Sequence, residues 1–442
     1  KLSKANVPFQ IIMPSSTTAS SCSSSIQQNM SQQCENALVA ICDFNPLRQY
    51  RTWMEELVPS VLDKQNVPLY QVDAHNIVPV WTASPKREVG ARTLRPRINK
   101  LLPKFMTVFP KFEGNTHITQ QQDTAATDWD ECYTYLQLDT SVASPEPEIK
   151  PGTKQAMNRF TKFVSPPGGL SKFDQLRNDP NHQNICSNLS PYVNYGHISF
   201  QSLALATRKL NKYPNGTASY LEEGIVRREL SDNFVYYTPD SYDSLDAAAQ
   251  WAQHSLFLHE EDEREYIYTL KEFEEGLTHD DLWNAAQIQL VKEGGMHGFL
   301  RMYWAKKILE WTPSPNVALR TAQYFNDRYA LDGNDPNGFV GVGWSVMGIH
   351  DMGWKERPIF GKIRFMNYAG CKRKFKVDDF VAKYVGAKSN ANAALAKYGG
   401  SVKESTETST VGSSASKKRP ASTSSATSRL SKKMKTSGTK KK

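Results

Sequence analysis

Short apolar runs separated by polar stretches mark the first part of the chain. Residues 7–13 (VPFQIIM), 37–42 (ALVAIC) and 67–72 (VPLYQV) each predict a buried strand, and residues 47–58 predict a helix. Strand–helix–strand spacing of this length predicts a βαβ unit in a parallel sheet. Residues 14–35, rich in Ser, Thr and Gln, interrupt the pattern and predict a flexible insertion.

Helical spacing takes over from about residue 151. Asp280 or Asp281 predicts the start of a helix that stops at Gly294, and a second helix is predicted over Met296–Trp311. Ser314, followed by proline, predicts the start of a third. The fold class is therefore α/β plus all-α.

The chain divides into four predicted regions by composition. Residues 1–115 form a partial α/β domain, and the polar residues 116–150 form an interdomain linker. Residues 151–398 form the helical domain. Residues 399–442, rich in Ser, Thr and Lys, are predicted to be a disordered basic tail.

The charge of the chain resides in that tail. Residues 401–442 hold eleven Lys or Arg and two Glu, which equals the net charge of +9, so the rest of the chain is electrically balanced. Lys418-Arg419, followed after twelve residues by 432–435 (KKMK), predicts a bipartite nuclear import signal and a nuclear location. A tail that binds polyanions without specificity is the alternative.

Cysteine usage and hydropathy narrow the class of protein further. The six cysteines are scattered without a CxxC pair, which argues against a zinc site or a disulfide framework, so no metal is expected. No apolar run reaches the roughly 18 residues of a membrane span, so no membrane partner is expected.

Three tryptophans stand out between residues 278 and 312. Trp304 and Trp311 are seven residues apart, so they share one face of a helix about 10.5 Å apart along its axis. Trp283 lies on the preceding helix. They are either ordinary core residues or an electron-hopping chain, because indole can be oxidised and reduced again, and spacing alone does not choose between these interpretations.

Nine segments, in order, resemble class II cyclobutane pyrimidine dimer photolyases. They are VDAHNIVPVW (72–81), ARTLRPRI (91–98), RNDP (177–180), SNLSPYVNYGHIS (187–199), RRELSDNF (227–234), the tryptophan segment (278–312), LDGNDPNGF (331–339), GIHDMGW (348–354) and FGKIRFMNYAGCKRKF (360–375). The resemblance covers roughly residues 36–385. It implies an incomplete Rossmann-like antenna domain, followed by a helical catalytic domain that holds FAD.

The resemblance implies a set of cofactor-binding residues. Residues 187–190 match the family's FAD phosphate contacts, at a helix start where free N–H groups suit an anion. Arg301 and Asp332 match its ion pair beside the isoalloxazine ring. The implied cofactor-binding residues are Phe173, Ser187, Asn188, Leu189, Ser190, Arg301, Asn326, Asp332 and Asp351. Phe173 stands where the family commonly has tyrosine, and the antenna chromophore stays open.

Catalytic and DNA-binding residues are also implied by the resemblance. In the electron-transfer chain, Trp304 would lie nearest the flavin, Trp283 in the middle and Trp311 at the surface. The implied catalytic residues are Glu223, Met302, Trp344, Asn326, Trp304, Trp283 and Trp311, and the implied DNA contacts are Arg177, Asn178, Arg227, Trp354 and Arg364. Arg227 stands where some members have tryptophan.

The activity implied by the resemblance is light-driven repair of pyrimidine dimers in double-stranded DNA by a deoxyribodipyrimidine photolyase. A monomer is expected, with an import receptor as a further partner of the tail. Two alternatives remain open at this point: a cryptochrome-like FAD photoreceptor that repairs nothing, and a non-catalytic DNA-binding protein.

Overall fold

Helices dominate the computed structural model, which describes residues 7, 9, 11, 13, 19–111, 128–136 and 138–398. The α-helices are α1 (Ala19–Cys34), α2 (Arg48–Thr52), α3 (Pro59–Gln65), α4 (Val80–Ala83), α5 (Ala91–Phe105), α6 (Trp129–Leu136), α7 (Thr153–Val164), α8 (Phe173–Leu176), α9 (Ser190–Asn194), α10 (Phe200–Leu210), α11 (Pro214–Leu221), α12 (Arg228–Tyr237), α13 (Gln250–Leu258), α14 (Leu270–Glu274), α15 (Asp281–Glu293), α16 (Gly298–Trp311), α17 (Pro315–Tyr329), α18 (Pro336–Met347), α19 (Tyr368–Lys372), α20 (Val377–Val381) and α21 (Ala387–Lys397). π-Helical turns follow α2 (Trp53–Leu57) and α11 (Glu222–Arg227).

The predicted strand–helix–strand unit is confirmed. β1 (Ala40–Asp43) and β2 (Leu69–Val72) pair in parallel, with Ala40 opposite Leu69, and α2 and α3 lie between them in the chain. The strand predicted over residues 7–13 is wrong where the structure describes it, because residues 7, 9, 11 and 13 lie outside any strand. Pro8 offers no N–H group to a ladder, which disfavours strand pairing there.

The insertion predicted to be flexible contains α1. Met30 and Cys34, four residues apart on this helix, pack in a small apolar cluster with Val58 and Leu62. Polar composition pointed to a flexible segment, but one apolar stripe is enough for a helix once a neighbouring helix covers it. The prediction is therefore wrong for Ala19–Cys34.

The predicted linker is also more ordered than expected. It contains α6, and beyond that helix Asp139 accepts a hydrogen bond of 3.0 Å from Arg328 on α17. The amide of Glu146 donates to the carbonyl of Lys292 at 2.6 Å. These contacts hold the second half of residues 116–150 against the helical region.

The structure confirms three helix boundaries that capping residues predicted: the start and the end of α15 and the start of α17. The Asp280 carboxylate accepts from the Trp283 amide at 2.8 Å at the start of α15, and Gly294 ends that helix in the left-handed conformation. Ser314 caps α17 in the same way, ahead of a proline. The second helix, α16, begins two residues later than predicted, because His297 takes the cap position.

The main hydrophobic core lies among the helices of the C-terminal half. It contains Trp283, Leu300, Tyr303 and Phe325, each fully buried, and a second cluster joins α5, α7 and α10. In the described part of the chain, no helix has the length and apolar character needed to cross a membrane. The described residues are thus mostly helical, with one small parallel sheet.

Candidate functional site

A cleft between helices α15 to α18 contains several residues of the predicted site. It encloses about 380 Å³ of empty space, including the part open to solvent. Its lining residues are Leu290, Met296, Arg301, Trp304, Ala305, Asn326, Asn337, Gly338, Gly341 and Val342. A Cβ atom on Gly341 would meet no other atom within 4 Å, so glycine leaves this wall flat. A flat wall beside a cation suits a planar, electron-rich ring.

Arg301 organises the polar side of the cleft. Its guanidinium donates to Asp332 at 2.7 Å and to Asn326 at 3.4 Å. Burial raises the pKa of Asp332, but Arg301 and the hydroxyl of Ser190 outweigh burial, so the pKa lies below its usual value. The structure thus brings the predicted ion pair together with Asn326 and with the predicted phosphate loop.

The phosphate loop, residues 187–190, is a sharply bent segment. Asn188 adopts a left-handed conformation with φ of 51°, the side chain of Leu189 is buried, and Ser190 begins the short helix α9. Ser187 lies beside the hydroxyl of Tyr220. The ring of Tyr220 meets Phe173 edge-on at 5.7 Å, so Phe173 joins this group through an aromatic contact.

The three tryptophans form a continuous row. Trp304 lines the cleft, and Trp283 stacks on it with ring centroids 6.4 Å apart and planes 9° apart. Trp311 meets Trp283 at 6.1 Å, turned by 67°. The order of the three residues matches the order implied by the resemblance, and adjacent rings are close enough for electron hopping.

The expected surface position of Trp311 is wrong. Its side chain is buried, with 3% of its area exposed. His279 lies against its ring at 4.8 Å, Tyr268 at 5.8 Å, and the amine of Lys307 sits 5.3 Å from the ring centroid. The seven-residue spacing placed Trp311 on the same helix face as Trp304, but it could not reveal the loop that covers it.

The residues implied to contact the lesion fall into two groups. Glu223 forms an ion pair of 2.9 Å with Arg177, and Asn178, next to Arg177, is exposed. Arg227 is also exposed and lies 3.5 Å from Glu222. These four form the first group, and none of them lines the cleft.

Trp344 and Met302 make up the second group, on helices α18 and α16. Both side chains are half-buried. Two cations flank the indole ring of Trp344, with Arg364 at 5.3 Å and Lys306 at 4.7 Å from its centroid. Trp344 therefore stands between the helical core and Arg364, one of the implied DNA contacts.

Arg364 gathers the implied DNA contacts and Asp351. It donates to both oxygens of Asp351, at 2.8 and 3.1 Å, and its guanidinium lies 4.1 Å from the ring centroid of Trp354. Trp354, also implied to contact DNA, is 46% exposed. Asp351, implied to bind the cofactor, thus lies with the implied DNA contacts and not with Arg301, Asn326 and Asp332.

Sequence reasoning missed Lys306. Its side chain is completely buried between α16 and α18, where the amine donates to the carbonyl of Ser345 at 3.0 Å. Burial lowers its pKa to about 7. The signal available in the sequence was its place between two apolar groups, residues 303–305 and 308–309, on α16. Among the described residues, no group of three His, Cys, Asp or Glu side chains could hold a metal ion.

The curated proteins that are similar to this chain are named deoxyribodipyrimidine photo-lyase. The chain is 50% identical over 344 residues to a deoxyribodipyrimidine photo-lyase of Potorous tridactylus, covering 78% of this chain and 63% of that protein. It is 47% identical over 351 residues to the one of Arabidopsis thaliana, covering 77% of this chain and 69% of that protein. The chain thus spans less than two thirds of the length of the Potorous relative.

Solved structures share the fold at low sequence identity. A class III photolyase from Agrobacterium tumefaciens matches with a TM-score of 0.59 at 18% identity, over 84% of this chain and 76% of that one. A Synechocystis cryptochrome (TM-score 0.56, 12% identity, 84% and 71% of the chains) and a Sulfolobus tokodaii photolyase with two FAD molecules (0.56, 14%, 84% and 77%) match similarly. No family model matches the chain. Because the chain is 47% identical to the Arabidopsis thaliana relative and covers 69% of that protein, the chain belongs to the deoxyribodipyrimidine photo-lyase family.

Proposed function

We propose that the protein uses light to repair cyclobutane pyrimidine dimers in DNA, with FAD as its cofactor. The observation that carries the proposal is the row of indoles, which starts at Trp304 in the wall of the cleft and continues through Trp283 to Trp311. The relatives named deoxyribodipyrimidine photo-lyase support the same reaction. The solved photolyase with two FAD molecules supports the cofactor.

The donor set of the cleft fits FAD. Arg301, paired with Asp332, would hold the electron-rich ring, Asn326 would donate to it or accept from it, and Ser187–Ser190 would bind the phosphates. The flat wall at Gly341 leaves room for a planar ring system. When bound, FAD supplies light absorption and one-electron chemistry, whereas the protein supplies position and electrostatics.

The residues of this chain would recognise the dimer after it leaves the base stack. Enzymes that act on bases extrude them from the duplex, and photolyases are among the cases for which this is established. Trp344 offers a flat apolar face, Glu223 offers a carboxylate to the base edge, and Arg364 with Trp354 offers a cation and an exposed ring to the DNA gap. The carboxylate of Glu223 would accept a hydrogen bond from a ring N–H of the dimer, and a hydrogen bond to a charged group contributes about 1.5–3 kcal/mol.

The test uses the full chain and an oligonucleotide with one thymine dimer. We expect the purified protein to absorb as a flavoprotein and to restore the thymines only in light. Glu223→Gln should lower the repair rate about 10–100-fold at unchanged flavin content, because the base edge loses a hydrogen bond to a charged acceptor. Glu56→Gln, an exposed carboxylate in the π-helical turn Trp53–Leu57, is the matched control. Flavin-loaded protein that leaves every dimer intact in light would overturn the proposal.

A photoreceptor without repair activity is the second candidate, and the likeness to the Synechocystis cryptochrome favours it. That likeness rests on 12% identity, against 50% for a relative named as a photo-lyase. Bound flavin that is reduced in light, together with absent repair, would favour the photoreceptor. A protein that binds DNA but retains no flavin would be the non-catalytic alternative.

We also propose that residues 401–442, outside the described part of the chain, direct the protein to the nucleus. The support is the spacing of the two basic clusters in the sequence. A fluorescent fusion should accumulate in nuclei, and the same fusion without residues 401–442 should not. Equal accumulation of the two fusions would sink this proposal. We further propose that the chain comprises a Rossmann-like antenna domain and a helical domain, and that it acts as a monomer.

A further inference from the structure

The helix that carries Glu223 and Arg227 contains a π-helical turn at that position. α11 leads into this turn, Glu222–Arg227, and α12 continues directly from it. π-Turns inside α-helices are rare and occur frequently at functional sites. The turn changes the direction of the side chains on it relative to a regular helix, so something must hold it in place.

One support for the π-turn is its backbone contact with Phe200. A Cβ atom on Gly224 would overlap the ring of Phe200, so the backbone can lie directly on that ring only because residue 224 is glycine. Downstream, Glu229 on α12 accepts from the amide of Ile77 at 2.8 Å. The first contact fixes the backbone of the turn, and the second fixes the helix that follows it.

A second support comes from Arg95 on α5. Its guanidinium donates a hydrogen bond to each carboxylate oxygen of Glu222, from Nε to Oε2 at 3.0 Å and from Nη2 to Oε1 at 2.7 Å. The helix beneath is anchored by Leu94 and Ile98, which are completely buried. A fork-to-fork pair of this kind fixes direction as well as distance.

Glu222 has two arginines within reach, and the geometry favours one of them. Arg227 contacts the same Oε1 atom at 3.5 Å through a single nitrogen, and its side chain is 52% exposed. Arg95 holds both oxygens, so the carboxylate of Glu222 is turned toward α5. Without Arg95, the nearest cation for Glu222 would be Arg227, one turn further along the helix.

We infer that Arg95 is a positioning residue for the recognition of damaged DNA: by holding Glu222, it keeps Arg227 directed outward. The inference deepens the proposed function and rests on it. Arg95 acts only through Glu222, and its role is therefore to preserve the difference in affinity between DNA with and without a dimer.

The experiment measures dissociation constants in the dark for one oligonucleotide with and without a thymine dimer. Arg95→Met should lower the preference for the dimer about tenfold, the order of magnitude of one hydrogen bond to a charged group. Arg95→Lys, which keeps the charge but loses the fork, should show an intermediate loss. Arg92→Met is the matched control, since Arg92 lies exposed on the same helix; it should keep the full preference.

A double variant separates positioning from general damage. If Arg95 acts through Arg227, Arg95→Met should add almost nothing in a background of Arg227→Met, whereas independent effects would add. Unfolding temperatures of the variants should agree within a few degrees, because the ion pairs of Arg95 and Arg227 are partly exposed.

Two outcomes overturn the inference alone. One is wild-type preference in Arg95→Met, and the other is full additivity in the double variant. A wild-type protein that binds both oligonucleotides equally would overturn the proposed function, and this inference would fall with it.

Discussion

The two-stranded sheet and the helical region differ in how completely they bury their apolar side chains. Ile41 on β1 and Tyr70 on β2 are 69% and 62% exposed, whereas Leu300 on α16 is completely buried. Parallel strands usually have both faces covered. The comparison teaches that, within the described residues, cooperative stability comes from the helical core and little comes from the sheet.

The sharpest test of this difference is a pair of truncations. Leu300→Ala should lower the free energy of unfolding by about 2–5 kcal/mol, because it removes buried methyl groups and leaves a cavity. Ile41→Ala should change it by less than about 0.5 kcal/mol, as exposed substitutions usually do. Denaturant unfolding followed by circular dichroism measures both, and equal effects would mean that the sheet is covered in solution.

Lys306 gives a second test, within the helical core itself. Burial lowers the pKa of Lys306 to about 7 from its usual 10.5, so between these pH values the unfolded chain holds a proton that the folded chain lacks. This group therefore makes the free energy of unfolding rise with pH from 7 to 10.5, and its full cost is present below pH 7.

Removing this amine should remove that pH dependence. Lys306→Met should raise the free energy of unfolding at pH 7 by about 1–4 kcal/mol, as replacing buried charge by apolar groups often does. Unfolding curves at several pH values should show the two proteins converging above pH 10.5. A variant less stable than wild type at pH 7 would show that the contact with Trp344 outweighs the burial of the amine.

A smaller destabilisation than that of Leu300→Ala is expected from the loss of a helix cap. The Ser314 hydroxyl accepts from the Val317 amide at the start of α17, whereas α2 and α3 beside the sheet begin without a side-chain cap. Ser314→Ala should cost about 1 kcal/mol. Ser314→Asp, which retains an acceptor, is its control, and thermal unfolding should rank Asp close to wild type and Ala below it.

Local signals explain which parts of the fold the sequence could predict. The bounds of α15 follow from Asp280 and Gly294, because capping chemistry depends on a few neighbouring residues. The helix α1 was missed because its stability depends on a distant partner, Leu62. Composition predicts how a segment behaves in isolation, whereas α1 packs against α3.

The site shows the same division. The motifs located Arg301, Asp332 and Asn326 in one cluster, which the structure confirms as neighbours. They could not reveal that Asp351 pairs with Arg364, since that contact depends on the path of the loop after α18. The π-turn left one trace in the sequence: Gly224, a glycine inside a helical pattern, marks a close approach of backbone to another group.

Chemical modification of the buried Lys306 amine also reports internal motion of the protein. With a pKa near 7 it is largely an uncharged nucleophile at pH 8, yet no solvent reaches it in the closed structure. Acylating reagents can modify this amine only when α16 and α18 separate. The labelling rate at Lys306 therefore measures how often the helical core opens locally between these two helices.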